Sequence, residues 1–326
     1  MSEVANYPKT LQEAIKYFSN KQVCHDFIVS IRWKSSVTCP HCSSKEVGFV
    51  KTRFIYNCKK CRKQFSVRTG TVLQDSLLGL DKWIIGIWLV ANCKNGISSC
   101  ELARSIGITQ KSAWFLLHRI RQIMATGNLE KLSGEVEADE TYIGGKEANK
   151  HSSKKIREGR GAVGKVIVSG LLERNSKGSK IIAKTIPDIK TETIQNQVRN
   201  NVRPGSNLYT DALRSYNGLS DTYIHEIVDH TKEYVRGRIS TNGLENFWCL
   251  LKRTIKGTYV AIDVPHLDRY LNEQTFRFNE RKLNDGERLA VVLGQVAGNK
   301  LSYSKLIQKT LVFPAKGLPG SEAVAS

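Results

Sequence analysis

The spacing of apolar residues predicts three segments ahead of the larger part of the chain. Residues 1–32 carry Leu11, Ile15 and Phe18 at near-helical spacing and predict an N-terminal helical segment. Short aromatic and β-branched runs within 33–71 predict the strands of a small ribbon. From 76 to 127 the pattern is helical again, with a turn at "GIT" that favours two crossed helices, as in a helix-turn-helix.

Strand-like patterning takes over from residue 133 to residue 283. Three strand candidates come first, and a helix near 191–202, two more strands and two long helices follow. This order predicts an α/β domain with a mixed sheet flanked by helices. Residues 284–326 are weakly patterned, and we expect a C-terminal tail that frays at its end.

The charge balance indicates a polyanionic partner. Fifty lysines and arginines stand against thirty aspartates and glutamates, which gives a net charge of +20. Basic side chains displace the counterions condensed on nucleic-acid phosphates, so nucleic acid is the expected partner, although charge does not distinguish DNA from RNA. The longest apolar run, 83–91, is far too short for a membrane span. Without a recognisable secretory signal, we expect a cytoplasmic protein whose cysteines are thiols or metal ligands.

Four of the eight cysteines form two CxxC pairs, Cys39 with Cys42 and Cys58 with Cys61, separated by fifteen residues. This spacing lets four thiolates complete a tetrahedral shell and predicts one structural Zn²⁺ ion. Isolated buried cysteines or a redox pair explain the spacing less well. Basic residues surround the pairs: Lys45, Lys51, Arg53, Lys59, Lys60, Arg62, Lys63 and Arg68. A DNA-contacting ribbon is the natural hypothesis, and a protein-contacting ribbon remains an alternative.

The second helix of the helix-turn-helix candidate begins with Gln110, Lys111 and Ser112. The amino-terminal end of a recognition helix is where side chains meet base edges in the major groove. These three residues are therefore candidate DNA contacts. A purely structural helical connector is the alternative.

Three carboxylates have a spacing that suits phosphoryl transfer. Asp139 lies in the middle of a predicted strand, Asp211 ends another, and Glu245 lies in the first turns of a predicted helix. Two-metal catalysis needs acids converging from different elements in this way. On the helix, Glu245, Cys249, Lys252 and Lys256 share a stripe beside the apolar face, and Lys252 could reach a phosphate. A solvated glutamate on an amphipathic helix is the alternative for Glu245 taken alone.

The segments "VEADETYIGGK", "YTDALRSYNGL" and "NGLENFWCLLKRTIKGTY" resemble the ISXO2-like transposase domain of the IS1595 family of insertion sequences. The resemblance spans about 134–282, and the zinc ribbon and helical region match the family's N-terminal arrangement. It implies a prokaryotic, nucleoid-associated DDE transposase with a ribonuclease H-like core. It also implies two Mg²⁺ (or Mn²⁺) ions held by Asp139, Asp211 and Glu245, with Lys252 as the following basic residue.

Such an enzyme would bind double-stranded DNA at terminal inverted repeats and join the ends to target DNA, which implies a homo-oligomer on DNA. We predict backbone contacts from a basic connection and from the helix stripe: Lys154, Lys155, Arg157, Lys252 and Lys256. Two other functions remain open. One is a DNA-binding regulator with an inactive core, and the other is a ribonuclease H-like nuclease or resolvase that cuts without joining.

Further acids and histidines receive no catalytic assignment. Glu137 shares a strand face with Asp139, whereas Glu140 points to the opposite face and is expected to be a satisfied structural acid. His225 and His230 could be neighbours of a metal site, but a surface or core position is the simpler interpretation.

Overall fold

The structure, a computed structural model, describes residues 7–125, 130–145, 164–176, 178–228, 240–298, 301–302 and 306–307. The chain forms two compact units, Met1–Thr126 with Asn272–Gln308 and Gly127–Leu271 with Lys309–Ser326. Among the described residues, no helix combines the length and the apolar character that crossing a membrane requires.

The first unit contains a three-stranded antiparallel ribbon among helices. Its elements are α1 (Leu11–Tyr17), α2 (Lys21–Arg32), β1 (Val47–Val50), β2 (Ile55–Cys58), β3 (Gln64–Phe65), α3 (Leu80–Asn92), α4 (Ser99–Ile106) and α5 (Gln110–Ile123). The predicted N-terminal helical segment is two helices, because Asn20 caps a new helix by accepting from the N–H of Gln22. Ala14 and Phe18 are buried, whereas Leu11 and Ile15 are exposed, so the core-facing side of α1 differs from the apolar spacing.

Helix α3 lies at the centre of this unit's core, with Trp83, Ile84, Ile87 and Trp88 almost fully buried. Against it packs α9 (Asp285–Gly294), which the weak pattern after residue 284 did not predict. Asn284 and Glu287 form a capping box that begins α9, and Leu289, Val292 and Leu293 are buried in the core. The last part of the predicted tail, 308–326, lies outside the described residues.

The second unit is a five-stranded sheet with helices on its faces. Its elements are β4 (Glu135–Ile143), β5 (Val166–Arg174), β6 (Lys180–Ile186), α6 (Thr191–Asn201), β7 (Asn207–Thr210), β8 (Ile224–Ile227) and α7 (Asn242–Thr254). Helix α8 (Leu267–Asn279) follows, and the boundary between the units falls within it. This arrangement confirms the predicted ribonuclease H-like α/β fold, with a small cysteine-bearing ribbon and a helical region ahead of it.

The strand order is β6-β5-β4-β7-β8. Strands β4, β5 and β6 pair antiparallel, and β7 and β8 join them in parallel. Because side chains alternate along a strand, Glu137 and Asp139 face α7, whereas Ala138 and Glu140 face the side covered by α6. Strand β4 therefore carries acids toward both faces of the sheet at its centre.

Candidate active site

Asp139 lies in the central strand, and both of its carboxylate oxygens accept hydrogen bonds. The backbone N–H of Glu140 donates to Oδ1 at 2.8 Å, and the indole Nε1 of Trp248 donates to Oδ2 at 2.9 Å. Burial raises the pKa of the Asp139 carboxyl to about 6, the Asp211 and Glu245 carboxylates add to the rise, and the two hydrogen bonds oppose it. An ionised acid that is partly removed from water and lies among other acids is costly unless a cation neutralises it.

Asp211 directly follows β7, whose parallel register pairs Thr210 with Ala138. Continuing that register places Asp211 beside Asp139 at the same end of the two strands. The Oδ1 of Asp211 accepts from the backbone N–H of Leu213 at 3.1 Å, which turns the chain just after the acid. Parallel pairing thus brings together two acids that lie 72 residues apart in the sequence.

Helix α7 carries Glu245 and packs on β4 and β5. Leu244, Trp248 and Leu251 are buried against the sheet, which matches the predicted apolar face. The neighbouring stripe of four residues is exposed: Glu245, Cys249, Lys252 and Lys256. The helix continues from Ile255 to Tyr259 as a π-helical turn, so Lys256 lies just beyond its regular part.

Glu137 joins the same helix to the strand. Its side chain is 2% exposed, its Oε2 accepts from the N–H of Leu244 at 2.8 Å, and its Oε1 accepts from Arg174 Nε at 2.6 Å. A side chain on Gly243 would place its Cβ 2.9 Å from both carboxylate oxygens of Glu137, so it would have to displace that carboxylate from its two hydrogen bonds. Glu137 therefore holds the first turn of α7, which is the turn that carries Glu245.

We expect Glu137→Gln to lower the free energy of unfolding by about 2–4 kcal/mol, because the neutral amide cannot replace the charge-assisted hydrogen bond that the buried Glu137 carboxylate accepts from half-buried Arg174. The measurement is urea unfolding followed by far-ultraviolet circular dichroism. Glu135→Gln, on the same strand and 3.9 Å from Arg174, should cost much less because Glu135 is more exposed. Equal losses in the two variants would contradict an anchoring role for Glu137.

Glu140 faces away from Asp139 and accepts a hydrogen bond from the hydroxyl of Tyr216, which agrees with the expected satisfied structural acid. Burial raises the pKa of Glu140 to about 8, with contributions from the Asp139 and Asp211 carboxylates, while the bond from Tyr216 opposes the rise. His225 is on this same face, where its Nε2 lies 2.9 Å from Thr210 Oγ1. His230, the other candidate neighbour, lies outside the described residues.

The carboxylates Asp139, Asp211 and Glu245 are hard oxygen donors, which is the ligand type that Mg²⁺ and Mn²⁺ prefer. The raised pKa of Asp139 fits a position that a cation would neutralise. Within the described parts of the chain, the cysteine quartet is the one group of at least three His, Cys, Asp or Glu side chains whose donor atoms all lie within 4.8 Å of one another.

The ribbon places its four thiols around one point. All four Sγ atoms lie within 4.8 Å of one another, with Cys39 3.7 Å from Cys61 and Cys42 3.5 Å from Cys58. The pKa of the Cys58 thiol is lowered to about 7, chiefly because the backbone N–H of Cys61 donates a hydrogen bond to its sulfur. The lowered pKa favours the thiolate form, which is the form that binds zinc. The quartet fits the predicted structural zinc ion.

The helical pair α4–α5 has the expected turn, with Gly107 in the left-handed conformation at φ 65°. Thr109 caps α5, and Gln110 Nε2 donates to Ser99 Oγ at 2.8 Å, which ties the two helices together. Lys111 is exposed and Ser112 is half-buried. From Leu116 onward α5 is almost entirely buried, so DNA could meet only its first turns. The role of Gln110, Lys111 and Ser112 in reading bases stays a prediction.

The basic connection with Lys154, Lys155 and Arg157 lies outside the described residues, so those predicted contacts stay predictions as well. Sequence reasoning missed Trp248 and Glu137. The alternation of side chains along the strand already placed Glu137 on the same face as Asp139, and this could have indicated a role for Glu137 near the site. Nothing in the sequence pairs Trp248 with Asp139.

The second unit is a ribonuclease H-like domain. It has a mixed sheet with one acid on its central strand, one directly after the neighbouring strand and one on a helix packed across them. Sequence comparison adds the family. A profile described as the ISXO2-like transposase domain matches residues 131–279, and one described as the transposase zinc-ribbon domain matches residues 19–64. The chain belongs to the IS1595 family of DDE transposases, with its N-terminal zinc ribbon.

Two relatives support this membership. A protein in transposable element ISH50 of Halobacterium salinarum is 27% identical over 254 residues, covering 73% of this chain and 84% of that protein. A transposase-like protein of Haemophilus influenzae is 30% identical over 105 residues, covering 32% of this chain and 85% of that protein. A chain from a simian T-cell lymphotropic virus intasome in complex with the PP2A regulatory subunit B56 gamma is similar at 11% identity, covering 74% of this chain and 80% of that chain. The TM-score of that similarity is 0.27.

Proposed function

We propose that this protein is a DNA transposase that binds the ends of an insertion sequence, cuts them and joins them to target DNA. The observation that carries the proposal is the environment of Asp139: a half-buried carboxyl whose pKa is raised to about 6 by its loss of solvent and then by Asp211 and Glu245. Those are the three acids that the family resemblance assigns to metal binding. An inactive regulator would have no need to keep a destabilising charge at this position of its central strand.

In this proposal Asp139, Asp211 and Glu245 would hold two Mg²⁺ or Mn²⁺ ions, which would activate water as a nucleophile and stabilise the leaving oxygen. At the element end, a water oxygen bonds to phosphorus as the P–O3′ bond breaks, which leaves a 3′-OH on the element and a 5′-phosphate on the flanking DNA. That 3′-OH then bonds to a target phosphorus while the target's P–O3′ bond breaks. Exposed Lys252 would contact a backbone phosphate beside the acids.

The first unit would recognise the ends. Seven of the basic residues around the zinc site are exposed and available to phosphates: Lys45, Lys51, Arg53, Lys59, Lys60, Arg62 and Lys63. Arg68 is instead committed to structure, since it donates to the carbonyl of Ser76 at 2.6 Å. Because both ends of an element must be joined, we propose that the protein acts as a homo-oligomer on double-stranded DNA.

A strand-transfer assay tests the reaction. Labelled duplexes that end in the element's inverted repeat, with the 3′-OH already exposed, are incubated with supercoiled target plasmid and Mg²⁺. We expect covalent joining of label to plasmid. Cutting of unprocessed ends without joining would indicate a nuclease or resolvase, and end binding without either reaction would indicate a regulator.

A second test uses the exposed thiol of Cys249, which lies on α7 one turn after Glu245 and one turn before Lys252. We expect element-end DNA to slow maleimide labelling of Cys249 by about tenfold or more, because the stripe would face the bound phosphates. Cys100 is the other exposed cysteine, so the experiment uses the Cys100→Ser background. A duplex of scrambled sequence is the control. Equal labelling with and without end DNA would argue against the α7 stripe as a DNA contact.

A further inference from the structure

The side chain of Asp139 is fixed from two directions, and one of them is helix α7. The Glu140 N–H occupies one lone pair of Oδ1, and the Trp248 indole occupies one lone pair of Oδ2. Since a carboxylate oxygen has two lone pairs, each oxygen keeps one for a cation. Turning the carboxylate would break both hydrogen bonds, so the side chain is held in one orientation.

Trp248 makes this contact from within the packed interface. It is 4% exposed and lies three residues after Glu245. The helix that carries Glu245 therefore also donates a hydrogen bond to Asp139. A buried indole N–H needs an acceptor, and Asp139 Oδ2 is the acceptor at 2.9 Å. The hydrogen bond thus links the positions of β4 and α7 beyond what apolar packing alone would do.

Gly170 provides the space for the indole. It lies on β5 directly opposite Asp139 in the antiparallel register. A Cβ at this position would lie 2.5 Å from Cζ2 and 2.7 Å from Cη2 of Trp248, far inside contact distance. The Leu244 Cδ2 atom would be 2.9 Å away. A glycine inside a sheet weakens a strand, and here it admits the aromatic ring that reaches Asp139.

We propose that Trp248 is a positioning residue, which fixes the Asp139 carboxylate for cation binding, and that Gly170 exists at its position to let the indole reach that carboxylate. The proposal rests on the proposed function, in which Asp139 is a metal ligand. Partners that orient a metal ligand through its remaining atoms commonly change metal affinity or activity by about 10- to 100-fold when removed. Trp248 needs no contact with DNA to have this effect.

The test measures Mn²⁺ binding directly, by electron paramagnetic resonance of free Mn²⁺ in the absence of DNA. We expect Trp248→Phe, which keeps an aromatic ring and loses the N–H, to raise the dissociation constant by about tenfold or more. Replacing Trp248 with benzothienylalanine keeps the bicyclic shape without the donor and should have the same effect if the phenylalanine variant folds poorly. Trp83→Phe is the matched control, because Trp83 is a buried indole in the first unit that donates to Ser76 Oγ at 3.0 Å.

Gly170→Ala supplies an independent arm. Its methyl group should displace the indole and weaken Mn²⁺ binding to a similar degree. Trp248→Phe removes Cζ2 and Cη2, the two indole atoms that a Cβ on residue 170 would meet. Adding Gly170→Ala to this variant should therefore weaken Mn²⁺ binding little further. Independent, multiplying effects of the two substitutions would contradict the proposed role of Gly170.

The outcomes separate this inference from the proposed function. Suppose the wild-type protein joins DNA ends and Asp139→Asn does not, while folded Trp248→Phe binds Mn²⁺ as tightly as wild type. Then the positioning role is wrong and the transposase proposal stands. If Trp248→Phe weakens Mn²⁺ binding but the wild-type protein neither cuts nor joins DNA, the positioning role stands and the transposase proposal falls.

Discussion

Asp139→Asn is expected to abolish cleavage of element ends and strand transfer, a loss of at least about 1000-fold, while end binding stays within about twofold of wild type. The substitution removes the charge of the acid on the central strand, and with it one proposed ligand of the catalytic cation pair. Binding should survive because the exposed basic residues proposed to recognise the ends lie in the first unit, and the substitution leaves Lys252 on α7 unchanged. Gel-shift titration measures binding, and denaturing gels of labelled duplexes measure both reactions.

Stability controls are part of this prediction. The pKa of Asp139 in the folded protein, about 6, exceeds its ordinary value of 3.8. From about pH 4 to 6 the unfolded carboxyl loses its proton first, so without metal the free energy of unfolding falls as pH rises, by up to about 3 kcal/mol. Asparagine removes this charge, although it cannot accept both of the existing hydrogen bonds, which costs about 1–3 kcal/mol.

Metal-free Asp139→Asn should therefore be about as stable as wild type near pH 7.5, and less stable relative to it near pH 4. Thermal unfolding in EDTA at both pH values checks the sign. Glu135→Gln serves as a control for activity, since Glu135 lies four residues earlier on the same strand and face. Normal Mg²⁺-dependent strand transfer by folded Asp139→Asn would refute the assignment of Asp139.

The parts of the site that follow strand and helix periodicity could be predicted from the sequence. Alternation along β4 separates Asp139 from Glu140, and the 3.6-residue repeat of α7 separates buried Leu244 from exposed Glu245. Local spacing also predicted the cysteine quartet, whose donor atoms converge. These features depend on residues close together in the chain, so the pattern itself contains the information.

Contacts between distant segments could not be predicted in the same way. Glu137 and Leu244 are 107 residues apart, and the indole of Trp248 reaches Asp139 across 109 residues. A buried glutamate in a strand and a glycine in its neighbour look like local conflicts until the packed helix supplies their partners. Helix α9 was not predicted for a related reason. Its sequence pattern is weak, and its apolar residues are buried against α3, which lies almost 200 residues earlier in the chain.

Loss of zinc is expected to unfold the ribbon and to weaken binding of element ends by about 100-fold or more. The strands of the ribbon have only two to four residues each. A ribbon this small gains most of its folding free energy from metal binding, which contributes about 10–16 kcal/mol in zinc-finger peptides. Cys58→Ser removes one ligand from the quartet. Zinc content by mass spectrometry should fall from about one ion per chain to near zero.

Cys100→Ser is the matched control, since Cys100 is an exposed thiol of the same unit outside the quartet. The ribbon's aromatic cluster provides a local readout: Tyr56 stacks on Phe65 at 5.3 Å and contacts Trp33, so near-ultraviolet dichroism should change when the strands unfold. Mn²⁺ binding should persist in Cys58→Ser, because the proposed catalytic acids lie in the other unit, which has its own hydrophobic core. Wild-type affinity for element ends in zinc-free Cys58→Ser would mean that the ribbon does not hold the ends. In that case its exposed lysines and arginines would instead serve a protein partner, the alternative that the sequence leaves open.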